Sequence, residues 1–427
     1  MSTKLPTDPY KGVRDFYPED KAVQQYIFDV WQMTAEHFGY QAYDASVLEP
    51  AELYKSKTSA EIVNEQTYTF TDRGDREVTL RPEMTPTVAR MVAGRRRELS
   101  FPVRWYSIPN LFRYERTQRG RLREHWQLNC DLFGVDDPSA DIELLLLVND
   151  IFKNFGAEGG VHYAIHIASR RVLEVLYDSL AIDQDTRVAA TRLADRKLKM
   201  DAAHFETEMT AIAGAATPAI LDFLNTTDVT ALSDTIKASA AYIELEMVVT
   251  TLTELGCAAV FDPTIIRGFD YYTGVVFEVK DLHPDNNRSM LGGGRYDNLT
   301  GLFGGDPIPG IGFGMGDVTM RDFLESHNLL TADINAPTLA ILPLDLSLNV
   351  PAQKIAQTFR NAGIATTVDM SQKKIGKKIT SAADHYVDYA LILGEDEITS
   401  DTYTLKNLVA ETEQHGTIEA LIAQIQT

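Results

Sequence analysis

Hydrophobic positions recur at helical spacing at Val23, Tyr26, Ile27, Val30, Trp31 and Phe38, and this pattern predicts an amphipathic helix over roughly 21–38. Residues 40–47 read as a strand ending near Pro50. Residues 67–71 and 77–80 read as a hairpin around the turn Asp72-Arg73-Gly74-Asp75. Further strands are expected at roughly 102–108, 111–116 and 125–133. Strands that follow one another without intervening helices imply an antiparallel sheet. A helix then begins with Asp137 at its N-cap and Pro138 at its first position, and runs through the apolar block 144–147.

The pattern changes from about 171 to 255, where helical spacing and alanine-rich segments predict a helical insertion. Strands and glycines return at 267–280 and 292–316. Beyond a linker near 330–336 the order is strand 339–342, helix 351–361, strand 364–368, helix 375–386, strand 389–393, the βαβαβ signature of a small parallel domain. The expected fold is therefore α+β: an antiparallel domain over 1–330 interrupted by a helical insertion at about 171–255, then a separate α/β domain over 336–427.

Side chains alternate across a strand. In 125–133, Trp126, Leu128, Cys130 and Leu132 share an apolar face, whereas His125, Gln127, Asn129 and Asp131 share a polar one. In 111–116, Phe112 and Tyr114 lie opposite Arg113 and Glu115. Paired around the loop 117–124, these strands would align Arg113, Gln127 and Asp131 on one surface. The alternative is a plain solvent face.

Apolar residues at 44% and charged residues at 24% describe an ordinary globular chain. No stretch is long and apolar enough to span a bilayer, and residues 1–20 carry no apolar core of a secretory signal, so a cytoplasmic location is expected. Cys130 and Cys257 stand in no paired or metal-ligand spacing, which argues against a disulfide scaffold and a structural zinc site. A net charge of -21 argues against a nucleic-acid partner until its distribution is considered. Ten arginines fall between Arg90 and Arg123, opposed only by Glu98 and Glu115, so a polyanion could bind there. A solvated basic face is the other reading.

Several of these residues form ordered motifs. Phe112-Arg113-Tyr114-Glu115-Arg116, with the loop 117–124 and the strand 125–134, resembles motif 2 of the class II aminoacyl-tRNA synthetases. Val47-Leu48-Glu49-Pro50 resembles the end of motif 1, whose proline lies at the family's dimer interface. Thr79-Leu80-Arg81-Pro82-Glu83-Met84-Thr85, Arg267-Gly268-Phe269-Asp270-Tyr271-Tyr272-Thr273-Gly274 and Gly293-Gly294-Arg295-Tyr296-Asp297 are similar to segments of the histidyl-tRNA synthetases in particular. The stretch around Lys373-Lys374-Ile375-Gly376-Lys377-Lys378 is similar to that family's anticodon-binding domain. The likeness covers nearly the whole chain, least distinctively in the helical insertion.

The resemblance implies a class II fold, a homodimer, and ligation of L-histidine to tRNA(His) with ATP as substrate and Mg²⁺ as its counterion. It implies Arg113 and Arg267 as the catalytic cations at the α-phosphate; an arginine fork binds two oxygens and stays charged. It implies Glu83, Thr85 and Gln127 for the histidine ammonium, and Asp131, Tyr272 and Tyr271 around the imidazole. Of the adjacent tyrosines, one is expected in the core and one in the site. ATP would rest on Gly314 and Gly316 with Arg121 as a further cation. Gln118, Arg119 and Arg123 would meet the tRNA acceptor end, and the anticodon would lie near 373–378. No Mg²⁺ ligand is identified.

Two departures stand out. The family usually has glutamate where this chain has Asp131, one methylene shorter. Motif 3 usually continues Gly-Leu-Glu-Arg, but this chain reads Gly316-Asp317-Val318-Thr319, and Arg321 lies about 200° around a helix from the missing arginine. The second departure keeps open a rival reading of a different class: a non-catalytic, histidine-binding regulator of a phosphoribosyltransferase. The terminal domain and the filled site positions oppose it. A class II synthetase for another amino acid is opposed by the 267–274 motif.

Overall fold

The computed structural model describes residues 5–55, 66–116, 120–265, 271–286, 289–331 and 336–426. The chain divides into two compact units, Met1–Thr331 and Ala332–Thr427. The strands of the first are β1 (Gln41–Ala42), β2 (Leu48–Pro50), β3 (Tyr68–Thr71), β4 (Glu77–Leu80), β5 (Val103–Ser107), β6 (Asn110–Phe112), β7 (Glu124–Phe133), β8 (Tyr163–Ser169), β9 (Ala259–Phe261), β10 (Val275–Asp281), β11 (Ser289–Arg295) and β12 (Gly310–Gly316).

A nine-stranded sheet runs β1-β5-β7-β12-β11-β10-β8-β9, with β6 paired to β7. Its centre is antiparallel throughout. Parallel pairs occur only at the edges, β1 with β5 and β8 with β9. One face carries Leu128, Cys130, Ile311, Phe313, Met315, Phe277 and Ile165 into the main core, packed with residues of the helices Pro18–His37 and Pro138–Asn154. Each large apolar side chain buried there contributes about 1.5–3 kcal/mol. The helix Pro138–Asn154 starts as its sequence predicts, with the Asp137 carboxylate accepting from the Ser139 amide at 2.8 Å.

The strand expected at 40–47 is divided. Arg81, buried, donates to the Ala45 carbonyl and to Asp44 between β1 and β2. The Ala45 carbonyl is thus satisfied outside the large sheet, and the chain enters a small one ordered β2-β4-β3. The strand expected at 111–116 stops at Phe112, because the Arg113 and Tyr114 amides bond to the carbonyls of Arg123 and Gln66.

Between β8 and β9 lie the helices Arg170–Ser179, Gln184–Ala194, Ala202–Ala213, Thr217–Asn225, Asp234–Lys237 and Ala240–Glu254. Asp183, Asp201 and Ser239 cap three of them through side-chain oxygens.

In the second unit β13 (Leu339–Pro343), β14 (Thr366–Val368) and β15 (Tyr389–Leu393) are parallel, as the βαβαβ pattern predicts. Two strands absent from that pattern, β16 (Tyr403–Asn407) and β17 (Thr412–Gly416), extend the sheet antiparallel, in the order β14-β13-β15-β16-β17. Lys378 does not belong to the basic surface expected here. It is buried, with its ammonium donating to the carbonyls of Pro343 and Asp369 at 3.0 and 3.1 Å.

Candidate active site

The second face of the large sheet is built for contact. Gln127, Asn129 and Asp131 of β7 alternate toward it, as read from the sequence. It is no solvent face, however: Asn129 and Asp131 are 3% and 1% exposed. The neighbouring strand β12 offers glycine opposite them. A Cβ at Gly312 would fall 2.2 Å from Asp131 Oδ1, and one at Gly314 would fall 2.7 Å from Gln127 Cδ. Only glycine lets these side chains lean across the strand.

Gln127 and Asp131 lie four residues apart, so they stand about 13 Å apart along the strand. Around Gln127 is an open cleft of about 680 Å³ lined by Arg113, Glu115, Arg121, His125, Gly314, Gly316, Met290 and Thr319 among others. The structure thus gathers Arg113, Arg121, Gln127, Gly314 and Gly316. Arg113 is oriented by its Nε–H, which donates to the Pro82 carbonyl at 2.9 Å. Arg121 lies 3.6 Å from Glu115.

Around Asp131 the walls are tyrosine. Its Oδ1 accepts from the Tyr296 hydroxyl, while Oδ2 is buried without a partner among the described residues. Burial pushes the Asp131 carboxyl up to about 7, and the Tyr296 hydrogen bond acts in the opposite direction. The Tyr271 and Tyr296 rings are 5.9 Å apart, and those of Tyr271 and Tyr272 4.8 Å. Tyr271 donates to Glu83 at 3.1 Å. Both tyrosines are buried, at 5% and 7% exposure. One core and one site tyrosine were expected; both rings join the same buried cluster. Thr85 is half-buried, two residues past Glu83, at the start of the helix Thr85–Gly94.

Arg123 is already engaged. Its guanidinium stacks 4.0 Å from the Tyr114 ring and donates to the Tyr10 hydroxyl at 3.1 Å, and its amide bonds to Gly12. It clamps the segment before the first helix against the motif 2 strands. Arg267, Gln118 and Arg119 lie outside the described residues.

Sequence reasoning missed three residues. His125 lines the cleft, and burial, with the Arg113 and Arg14 charges beside it, lowers its pKa to about 3. Asp317, at the start of the helix Asp317–Ser326, is buried, accepting from the Trp126 amide at 2.9 Å and from Arg14 at 2.7 Å. Tyr296 was recognised as part of a motif but not as a wall of the site. The signal for Asp317 and Arg14 was absent, because their partnership spans 303 positions. Thr319 Oγ1 donates to Gly316 and Met290 carbonyls, each at 3.0 Å, whereas Arg321 pairs with Asp20 and Glu325.

Among the described residues no cluster of three or more His, Cys, Asp or Glu side chains could hold a metal. Glu115 is the carboxylate among the described lining residues of the cleft. That suits Mg²⁺ carried in by a polyphosphate, which asks for one or two carboxylates rather than a protein cage. No helix among the described residues is long and apolar enough to cross a membrane.

This antiparallel sheet, covered by helices on one face and floored with glycine on the other, is the class II synthetase architecture expected from the motifs. A family model described as histidyl-tRNA synthetase matches residues 12–317, and one described as an anticodon binding domain matches 338–427. A histidine–tRNA ligase of Leptospira biflexa is 42% identical over 420 residues, covering 95% of this chain and 94% of the relative. The crystal structure of histidyl-tRNA synthetase from Nostoc sp. PCC 7120 superposes with a TM-score of 0.82 at 22% identity, over 99% of each chain. One described as an ATP phosphoribosyltransferase regulatory subunit/histidyl-tRNA synthetase from Bacillus halodurans C gives 0.74 at 20% identity, covering 92% of this chain and all of that one. The chain belongs to the histidyl-tRNA synthetase family.

Proposed function

We propose that this chain is a cytoplasmic histidine–tRNA ligase. A histidine carboxylate oxygen attacks the α-phosphorus of ATP and the bond to the β-phosphate bridge breaks. This gives histidyl-adenylate and pyrophosphate. The terminal ribose hydroxyl of tRNA(His) then takes the histidyl group and AMP leaves. The unit over 1–330 carries this chemistry, and residues 336–427 bind the anticodon.

The observation that carries this reading is one cleft in which Arg113, Arg121 and Gln127 gather over the glycines of β12. Negative charge grows on the α-phosphate in the first step, and fixed guanidiniums stabilise it without reorganising. Arg113, held by the Pro82 carbonyl, takes the α-phosphate with Arg267; Arg121 takes the outer phosphates; Gly314 and Gly316 let the nucleotide lie close to the backbone. Mg²⁺, when bound with ATP, neutralises phosphate charge beside Glu115. Glu83, Thr85 and Gln127 accept from the histidine ammonium. Asp131, Tyr271 and Tyr272 surround its imidazole. Gln118 and Arg119, with Arg123 behind them, face the acceptor end.

The active form is a homodimer. In the small sheet, directly opposed residues share a face. Glu49, Thr79 and Thr69 make one, and Glu49 there bonds to Thr87 and Arg90 of the helix Thr85–Gly94. Leu48, Pro50, Val78, Leu80, Tyr68 and Phe70 make the other. Leu48 and Phe70 stay 47% and 48% exposed. Glu49 and Thr79 are buried while Leu48 and Phe70 are exposed, a reversal that suits a partner on the apolar face, and continuity with the Pro50 motif makes that partner a second copy.

Histidine-dependent exchange of labelled pyrophosphate into ATP, with Mg²⁺ and without tRNA, tests the reading. Exchange with histidine and no other amino acid is expected. Thr319 at the motif 3 arginine position favours the regulatory alternative, and histidine binding without exchange would select it.

A further inference from the structure

We propose that Tyr296 is a positioning residue of the histidine subsite: its hydroxyl holds Oδ1 of Asp131 so that Oδ2 faces the pocket as acceptor for the substrate's imidazole N–H. The inference rests on the reading that Asp131 meets the histidine side chain.

Three observations support it. Asp131 is buried, and the two oxygens of its carboxylate differ: Oδ1 is bonded to Tyr296, and Oδ2 has no hydrogen-bond partner among the described residues. A buried acceptor without a donor is costly unless a ligand supplies one. Space has been cleared for the pair, since a Cβ on Gly312 would fall 2.2 Å from Asp131 Oδ1 and 2.7 Å from the Tyr296 hydroxyl. Tyr296 also packs beside residues proposed for histidine, its ring 5.9 Å from that of Tyr271, which donates to Glu83.

The short side chain explains the need. Asp131 reaches one methylene less far than the glutamate usual in the family, so its direction must be fixed by a neighbour. Tyr296 suits the task, because burial first, and the adjacent Asp131 charge second, raise its phenol well above the ordinary value and keep it a donor. The other titratable groups that sense Asp131 are Tyr43, Tyr40 and the Cys130 thiol. None of these brings a positive charge, so among the described residues the Tyr296 hydrogen bond is what opposes the burial that pushes Asp131 up to about 7. Without the hydroxyl the carboxyl shifts higher still. At neutral pH it is then protonated and offers the imidazole N–H a poorer acceptor.

The test is pyrophosphate exchange by the full chain with Tyr296→Phe, Gly312→Ala and Asp131→Asn, recorded with varied histidine and varied ATP at several pH values. Tyr296→Phe should raise KM for histidine by about tenfold or more, leave KM for ATP within about twofold, and move the pH dependence of the histidine KM upward. Gly312→Ala, which forces the pair apart, should show the same selective defect and serves should Tyr296→Phe fail to fold. Asp131→Asn should raise KM for histidine and abolish the enzyme's part of the pH dependence. An unchanged histidine KM in Tyr296→Phe, or equal losses for histidine and ATP, overturns the proposal. An unchanged histidine KM in Asp131→Asn overturns instead the reading on which it rests.

Discussion

Two single positions decide how the cleft handles charge. His125 is a base whose pKa in the folded chain, about 3, lies below its ordinary 6.5, through burial and then the Arg113 and Arg14 charges. Such a group binds fewer protons folded than unfolded. Stability therefore falls as pH drops through the window from 6.5 toward 3, and is unaffected above it. His125→Gln should lack this loss. Asp131, raised to about 7, acts in the opposite sense over the same range in both proteins, so the difference between them isolates His125: the stability of His125→Gln relative to the parent should rise by about 1 kcal/mol between about pH 7 and 5.5, read from urea unfolding. Thr319 poses the complementary question. Its hydroxyl bonds two backbone carbonyls, and Arg113 and Arg121 already line the cleft beside it. Thr319→Arg should change KM for ATP by less than about threefold, about 0.7 kcal/mol. A large gain in affinity would show a phosphate position left without a cation.

Among the elements, Lys378 is the one member of a basic run that the structure buries, while Lys373, Lys374 and Lys377 are exposed. It lies in a lysine-rich stretch, yet its ammonium ties the end of β13 to the segment after β14. Lys378→Met leaves the Pro343 and Asp369 carbonyls unpaired and should destabilise the second unit by about 1–3 kcal/mol, seen as an early unfolding transition. Substituting the exposed Lys373, Lys374 and Lys377 should not move that transition. The same contrast marks what was legible in the sequence. β7 was, because its polar and apolar positions alternate and its Cβ directions follow. β8 was not: Ile165 and Ile167 enter the main core and Ala168 a second cluster, so both faces are buried, and a short apolar run has no period to read. β17 was missed for the opposite reason, being exposed at four of its five positions. In the site, Arg113, Gln127 and the β12 glycines were legible from motif order. The Asp131–Tyr296 pair and the Asp317–Arg14 bridge were not, since each joins segments whose proximity exists only after folding.

At the scale of the molecule, association is set by two surfaces of different physics. The proposed dimer surface is the apolar face of the small sheet, which would associate by burial. Phe70→Asp, which places a charge at a residue 48% exposed, should leave the unit folded but monomeric by sedimentation, with exchange activity lost alongside the dimer. The surface for the tRNA acceptor end is electrostatic and local, because on a chain of net charge -21 a polyanion needs a concentrated run of cations. Each phosphate neutralised releases counterions, so tRNA affinity should fall steeply with salt, by about 0.7–0.9 log units per contact for each decade. The arginines of the motif 2 loop should not contribute alike. Arg121 lines the cleft at 61% side-chain exposure. Arg123 is fastened between Tyr10 and Tyr114. Replacing Arg119 and Arg121 together by alanine should therefore lower the salt slope by about 2 without changing thermal stability. Arg123→Ala should lower stability by releasing the segment at Tyr10 and Gly12, with a smaller change in slope. A slope that survives the double substitution would move the acceptor contact away from this loop, and the ten arginines between Arg90 and Arg123 would then divide differently between scaffold and nucleic acid.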